Sequence, residues 1–120
     1  MSSTTKKFES GAVRSNDDEG YRYDLIPHPA LKRLAARYHM GAVKYNDHNY
    51  LKGIPYSNII NHLEHHLADF KANRCKNDDN LAAIAWAAFT LMTFESLERL
   101  DLDDLFNYQK EKNEHLRALS

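Results

Sequence analysis

Apolar residues recur at helical spacing in four stretches of this chain. In the first, Leu31, Leu34, Ala35 and Tyr38 fall at i, i+3, i+4 and i+7, with Pro29 suited to the first helical position and Gly41 expected to end the helix. The second runs from Ser57, a good N-cap, to about Asn73, and its stripe is Ile60, Leu63, Leu67 and Phe70. The third follows Asn77 or Asp78 as cap. It carries Leu81, Ile84, Ala85, Ala88, Leu91 and Met92 on one side and Ala82, Ala83 and Trp86 on another. Its five alanines between positions 82 and 88 permit close helix approach on more than one face. The last stretch begins near Asp101 and holds Leu102, Leu105, Phe106, Leu116 and Leu119. No repeat and no convincing strand-period alternation is present, so the expected fold is all-α, a bundle of about four helices. One chain leaves the second apolar face of the third helix bare, so the bundle is expected to be completed as a homodimer or higher homo-oligomer.

Two polar stretches fall outside this pattern. Residues 1–20 hold Ser, Thr, Asp and two Gly with almost no apolar periodicity, and read as an extended, flexible arm that orders on a ligand or partner. Gly11, Arg14 and the acidic run Asp17, Asp18 and Glu19 lie in it, and residues 21–120 are expected to form a single helical domain. The arm leads into Tyr21-Arg22-Tyr23-Asp24-Leu25-Ile26-Pro27, too apolar for a tail. Residues 42–55 contain Lys44-Tyr45-Asn46-Asp47-His48-Asn49-Tyr50-Leu51-Lys52-Gly53, a loop by composition and unusually polar-aromatic for one. Loops of this kind often hold function.

Composition narrows the class of partner. The 120 residues include 16 Lys and Arg against 17 Asp and Glu, a net charge of -1 that argues against a nucleic-acid polymer as the main partner. With 42% hydrophobic and 28% charged residues, the chain falls among soluble globular domains. Cys75 stands alone, which excludes an intrachain disulfide and fits a reducing cytosol. Leu81 to Met92 is too short for the roughly 20 residues of a membrane span, and Met1 to Lys7 lacks the apolar core of a signal peptide. A cytoplasmic protein without a membrane partner is expected.

Several clusters could carry chemistry. His62, His66 and Asp69 fall on one flank of the second helix at i, i+4 and i+7, an arrangement open to a transition metal, a phosphate or simple solvation beside a core. His65 points away and Glu64 lies on the opposite flank. Asn77-Asp78-Asp79-Asn80 reads either as a helix cap or as a source of oxygen ligands for Mg²⁺, with Asp79, Ala83 and Trp86 sharing a face. Arg14, Arg22 and Lys44 are interleaved with Tyr21, Tyr23, Tyr45 and Tyr50. That mixture suits a nucleotide: cations for phosphates, rings for stacking, and Asn46 or Asn49 for base edges. The alternative is that the tyrosines cap a core and the cations are solvated. No phosphate-cradling Gly-Lys-Ser/Thr motif, no GxGxxG and no Ser/His/Asp or Cys/His order is present.

Six blocks carry a resemblance. Gly11-Ala12-Val13-Arg14, Tyr21 to Pro27, Gly41-Ala42-Val43-Lys44-Tyr45, Asn49-Tyr50-Leu51-Lys52-Gly53-Ile54-Pro55, His65-His66-Leu67 and Leu81-Ala82-Ala83-Ile84-Ala85-Trp86 run in order from about residue 8 to residue 95. In order and spacing they resemble the phage-rich family of dATP/dGTP diphosphohydrolase N-terminal domains, itself similar to the all-α MazG-type pyrophosphohydrolases. The resemblance implies a MazG-like bundle that binds purine nucleoside triphosphates and, with Mg²⁺ or Mn²⁺, releases pyrophosphate by water attack. It implies phosphate contacts from Arg14, Arg22 and Lys44, and nucleoside contacts from Asn49 and Tyr50 with Tyr45 beside them. Glu64, Asp79 and His66 would be catalytic, and Glu64, Asp79, Asp69 and Asp78 would supply the metal ligands.

The chain also departs from the family pattern. Asn73-Arg74-Cys75 stands where a Gly-Glu pair is expected, Asn80 where a His follows the acidic pair, Ala87 where an Asn follows the Trp, and Tyr50 in place of a Trp. Replacing a carboxylate by Arg74 puts a cation near a divalent ion and weakens its site. The expected function is therefore a Mg²⁺-dependent (d)NTP pyrophosphohydrolase. Its alternative is a catalytically silent protein that sequesters a nucleotide or a cyclic-nucleotide signal, an anti-defence sponge using the same pocket.

Overall fold

A computed structural model of the chain describes residues 5–15 and 20–119, the side chains of Ser15 and Tyr108 excepted. Four helices make up most of it: α1 (His28–Tyr45), α2 (Tyr56–Asn73), α3 (Asn80–Ser96) and α4 (Leu105–Ala118). The fold is an all-α bundle, as the apolar periodicity predicts. Among the described residues no helix is long and apolar enough to cross a membrane. The chain divides into two compact units, Met1–Leu31 and Lys32–Ser120.

The first unit holds a hairpin where the sequence pattern suggests an extended arm. β1 (Thr5–Lys7) pairs antiparallel with β2 (Val13–Ser15), Lys6 lying opposite Arg14. The Phe8 N–H donates to the Ala12 carbonyl at 2.8 Å and the Gly11 N–H to the Phe8 carbonyl at 2.9 Å. Gly11 takes φ 92, which its missing Cβ permits. Strands of three residues give too few alternations to register as a period. A 3-10 turn follows at Tyr23–Leu25, beside which Arg22 grips the Asp24 carboxylate with Nε at 2.8 Å and Nη2 at 2.6 Å. The acidic run Asp17, Asp18 and Glu19 lies outside the described residues.

In the second unit α2 and α3 form an antiparallel hairpin. The pairing is visible in three contacts that step along it: Tyr56 stacks on Phe94, His62 meets Trp86, and His66 meets Asn80. Small residues set the spacing. Ala82, Ala83 and Ala87 are buried on α3, so the backbones approach closely, and Ile59 and Phe94 fill the core with Leu63, Leu91, Ile54 and Leu102 around them. Thr90 is fully buried and hands its hydroxyl hydrogen to the Trp86 carbonyl at 2.8 Å, so this hydroxyl is satisfied.

Helix ends differ from the sequence expectation for identifiable reasons. α1 runs through Gly41, whose backbone stays helical, because Ala42 and Lys44 continue the helix well. It stops at Asn46, which takes φ 82 and whose N–H reaches back to the Ala42 carbonyl at 2.9 Å. Ser57 is not the N-cap of α2; Pro55 holds that position. Ser57 instead presents its N–H and hydroxyl to the Asp104 carboxylate, at 2.9 Å and 2.6 Å, so an anion from the start of α4 closes the first turn of α2. α3 is capped by Asp79, not by Asn77 or Asp78: its side chain accepts from the Ala82 N–H at 3.1 Å. The last helix starts at Leu105, after a 3-10 turn at Leu100–Leu102.

Candidate functional site

An aromatic corner joins three elements. Tyr38 on α1, Tyr50 on the 3-10 turn Asn49–Lys52 and Trp86 on α3 meet with ring centroids 5.7, 6.4 and 6.1 Å apart, and His62 on α2 stands edge-on to Trp86 at 6.3 Å. Tilted and edge contacts of this kind are favourable pairings of ring quadrupoles. Burial and the neighbouring Tyr50 push the Tyr38 phenol up, so it stays neutral.

Beside this corner lies a cleft of about 660 Å³, between the end of α1, residues 46–54 and the first half of α2. That volume is in the range of small-molecule sites. Arg37, Lys44, Asn49, Asn58 and His62 supply polar groups to its walls, and Tyr45, Tyr50 and Trp86 supply rings. Asp47 is the acid of the lining, against Arg37 and Lys44 as cations. The Lys44 ammonium lies 5.2 Å from the Tyr45 ring centroid, a cation–π distance. The wall formed by residues 46–54 is fixed by its backbone: Asn46 and His48 are left-handed, Gly53 takes φ 117, and Arg99 reaches the Leu51 carbonyl at 3.4 Å.

Two histidines lie one turn apart on α2. His66 is buried, its ring 4.5 Å from that of His62. Asn80 donates through Nδ2 to the Arg74 carbonyl at 2.7 Å, so its Oδ1 faces His66 and accepts from Nδ1–H at 2.8 Å. His66 is thus a core histidine tied to the start of α3. Burial, then the neighbouring His66 and Arg37, lower the His62 pKa and keep this cleft-wall imidazole neutral at neutral pH.

The acids of the expected metal set are differently employed. Asp79 receives a bidentate grip from Arg33, Nε to Oδ2 at 2.8 Å and Nη2 to Oδ1, besides capping Ala82 and accepting from the Cys75 thiol at 3.6 Å. The Arg33 guanidinium holds the Asp79 carboxyl down at about 2. Asp78 accepts from Arg37 at 2.8 Å. Asp69 stands 3.6 Å from His65, and Glu64 is exposed on α2. Among the described residues no three His, Cys, Asp or Glu side chains gather where they could hold a metal ion. As arranged, these donors do not fit the oxygen cage that Mg²⁺ requires.

Of the residues expected to touch a nucleotide, Lys44, Tyr45, Asn49 and Tyr50 line this cleft. Arg14 lies on β2 and Arg22 on Asp24, both in the first unit. The sequence pattern missed Arg37 and took Tyr38 for a core residue. Arg37 follows Arg33 by one helical turn beside the apolar stripe, and that spacing was the available signal. A family model described as dATP/dGTP diphosphohydrolase, N-terminal, matches residues 10–104. No curated protein and no solved structure matches the chain.

Proposed function

The chain belongs to the dATP/dGTP diphosphohydrolase N-terminal-domain family, and on that premise we propose that its cleft takes a purine nucleoside triphosphate and splits it to monophosphate and pyrophosphate. One observation carries the reading: cations, side-chain amides and aromatic rings, the three groups a nucleotide engages, line a single cleft of fitting size. Arg37 and Lys44 take the phosphates, Tyr50 and Trp86 offer ring faces, and Asn49 and Asn58 offer hydrogen bonds. In the reaction a water oxygen bonds to the α-phosphorus, the bond to the bridging oxygen breaks, and pyrophosphate leaves with that oxygen. Neutral His62 is the wall group suited to accept the water's proton. Glu64, Asp79 and His66 take no part in this proposal, because Asp79 is gripped by Arg33, Nδ1 of His66 is committed to Asn80 and Glu64 is exposed.

A second reading, sequestration of an intact nucleotide, is favoured by the arginine grip on Asp78 and Asp79. One experiment separates the two. The pure chain is incubated with dATP, dGTP and cyclic nucleotide signals, with and without Mg²⁺ or Mn²⁺, and filtrate and heat-denatured protein are chromatographed separately. Monophosphate with pyrophosphate supports hydrolysis. A ligand that leaves the filtrate and returns intact on denaturation supports sequestration, and a panel left wholly in the filtrate refutes both. The proposal includes a second copy over the exposed Leu81, Phe89 and Met92 of α3, which light scattering on the same sample reads as a doubled mass.

A further inference from the structure

We propose that the nucleotide is held in the cleft as its metal-free polyanion, with Arg37 and Lys44 balancing the phosphate charge in place of a divalent cation. The inference rests on the nucleotide reading above and concerns how that same site meets charge.

A cation site needs carboxylate oxygens with unspent lone pairs and little positive charge nearby. Asp79 has neither: two guanidinium nitrogens, an amide N–H and a thiol already converge on its two oxygens. To coordinate an ion it must release Arg33 and uncap α3 together. Asp78 is held by Arg37, and an ion there would face the positive charge of Arg33 and Arg37 from adjacent turns of α1.

The grip that spends the acids also places a cation for the ligand. Arg37 is a cleft-lining residue whose side chain is 15% exposed, and it spends Nη1 on Asp78. A guanidinium has five N–H donors, so most of its fork is left for an anion. Lys44 adds a second positive charge two turns further along the same helix. Among the described residues Asp47 is the single acid in the lining, and one carboxylate against two cations makes these walls a receptor for anions.

The test uses the full chain. Titration with Mn²⁺ alone, followed by electron paramagnetic resonance, is expected to show no stoichiometric site. Calorimetry with dATP and dGTP is expected to give affinities in excess EDTA within about threefold of those in Mg²⁺. Arg37→Gln and Lys44→Gln are each expected to weaken binding about tenfold in EDTA, and Asp47→Asn to tighten it. A Mn²⁺ site in the parent chain that disappears in Asp79→Asn or Asp47→Asn overturns the proposal. So does a loss of about tenfold or more in EDTA, which leaves the nucleotide reading standing. Absence of binding in both media overturns both. The comparison of EDTA with Mg²⁺ needs no variant, so a misfolded substitution cannot obscure it.

Discussion

α1 and the α2–α3 hairpin both contribute walls to the cleft, and they are held by different means. The hairpin is joined through buried alanines, Ile59 and Phe94, with its one deep hydroxyl, Thr90, satisfied inside its own helix. α1 is joined through long side chains: Tyr38 against Tyr50 and Trp86, Arg33 on Asp79, Arg37 on Asp78. Close packing is stiff, because removing even a methylene leaves a gap. Ion pairs and edge-on rings tolerate small displacements and exchange partners with water or ligand. The comparison teaches that the wall bearing Arg37 and Lys44 is the adaptable one, set against a rigid floor.

Substitutions can break this contrast from its strong side first. Phe94→Ala empties the core at the end of the hairpin where Phe94 stacks on Tyr56 and is expected to destabilise the chain by about 3–5 kcal/mol in urea unfolding. Gly53→Ala puts a Cβ at φ 117, within 3.1 Å of Leu102, and is expected to cost about 1–3 kcal/mol while distorting the cleft wall and weakening nucleotide binding. Ser57→Ala removes the hydroxyl that Asp104 accepts from, and a fall in Tm smaller than that of Gly53→Ala is expected. Loss of the Arg33 grip is expected to be the mildest, since that pair is well exposed to solvent. Its signature is pH dependence. Asp79 is lowered from 3.8 to about 2, so its contribution is present above 3.8 and fades as pH falls towards 2. The Tm gap between the parent chain and Asp79→Asn should be constant down to about pH 5 and then narrow. A gap unchanged at pH 2 would mean that the carboxylate is not acting through its charge.

The same contrast explains what the sequence made legible. The stripe of α2 and the small-residue face of α3 are readable because the packing of these two helices imposes a 3.6-residue period, whereas Phe106, Leu116 and Leu119 of α4 are exposed. Lys44, Tyr45, Asn49 and Tyr50 stand out because polar-aromatic composition is unusual in a connector, although residues 42–45, read as loop, complete α1. The start of α2 is misread because its partner is remote, Asp104 lying 47 residues from the turn it closes, and the pairing of Asp78 with Arg37 likewise spans 41 residues. No local pattern encodes such a pairing. Gly41 misled for the opposite reason, a local stop signal outweighed by helix-forming neighbours, with Asn46 as the true end. For the acids, side-chain type suggested ligands, and only the tertiary approach of α1 reveals the arginines that engage them.

The closure of α2 by Asp104 has a consequence for biosynthesis. As the chain leaves the ribosome, residues 28–96 emerge ahead of Asp104, the residue that closes the first turn of α2. Until then the first turn of α2, which adjoins the cleft wall at Pro55, presents the Ser57 N–H to water. The carboxylate that closes the first turn of α2 is therefore the last part of this contact to emerge. The first turn of α2, which carries the cleft-lining residues Asn58 and Ile59, is closed only after the start of α4 has emerged.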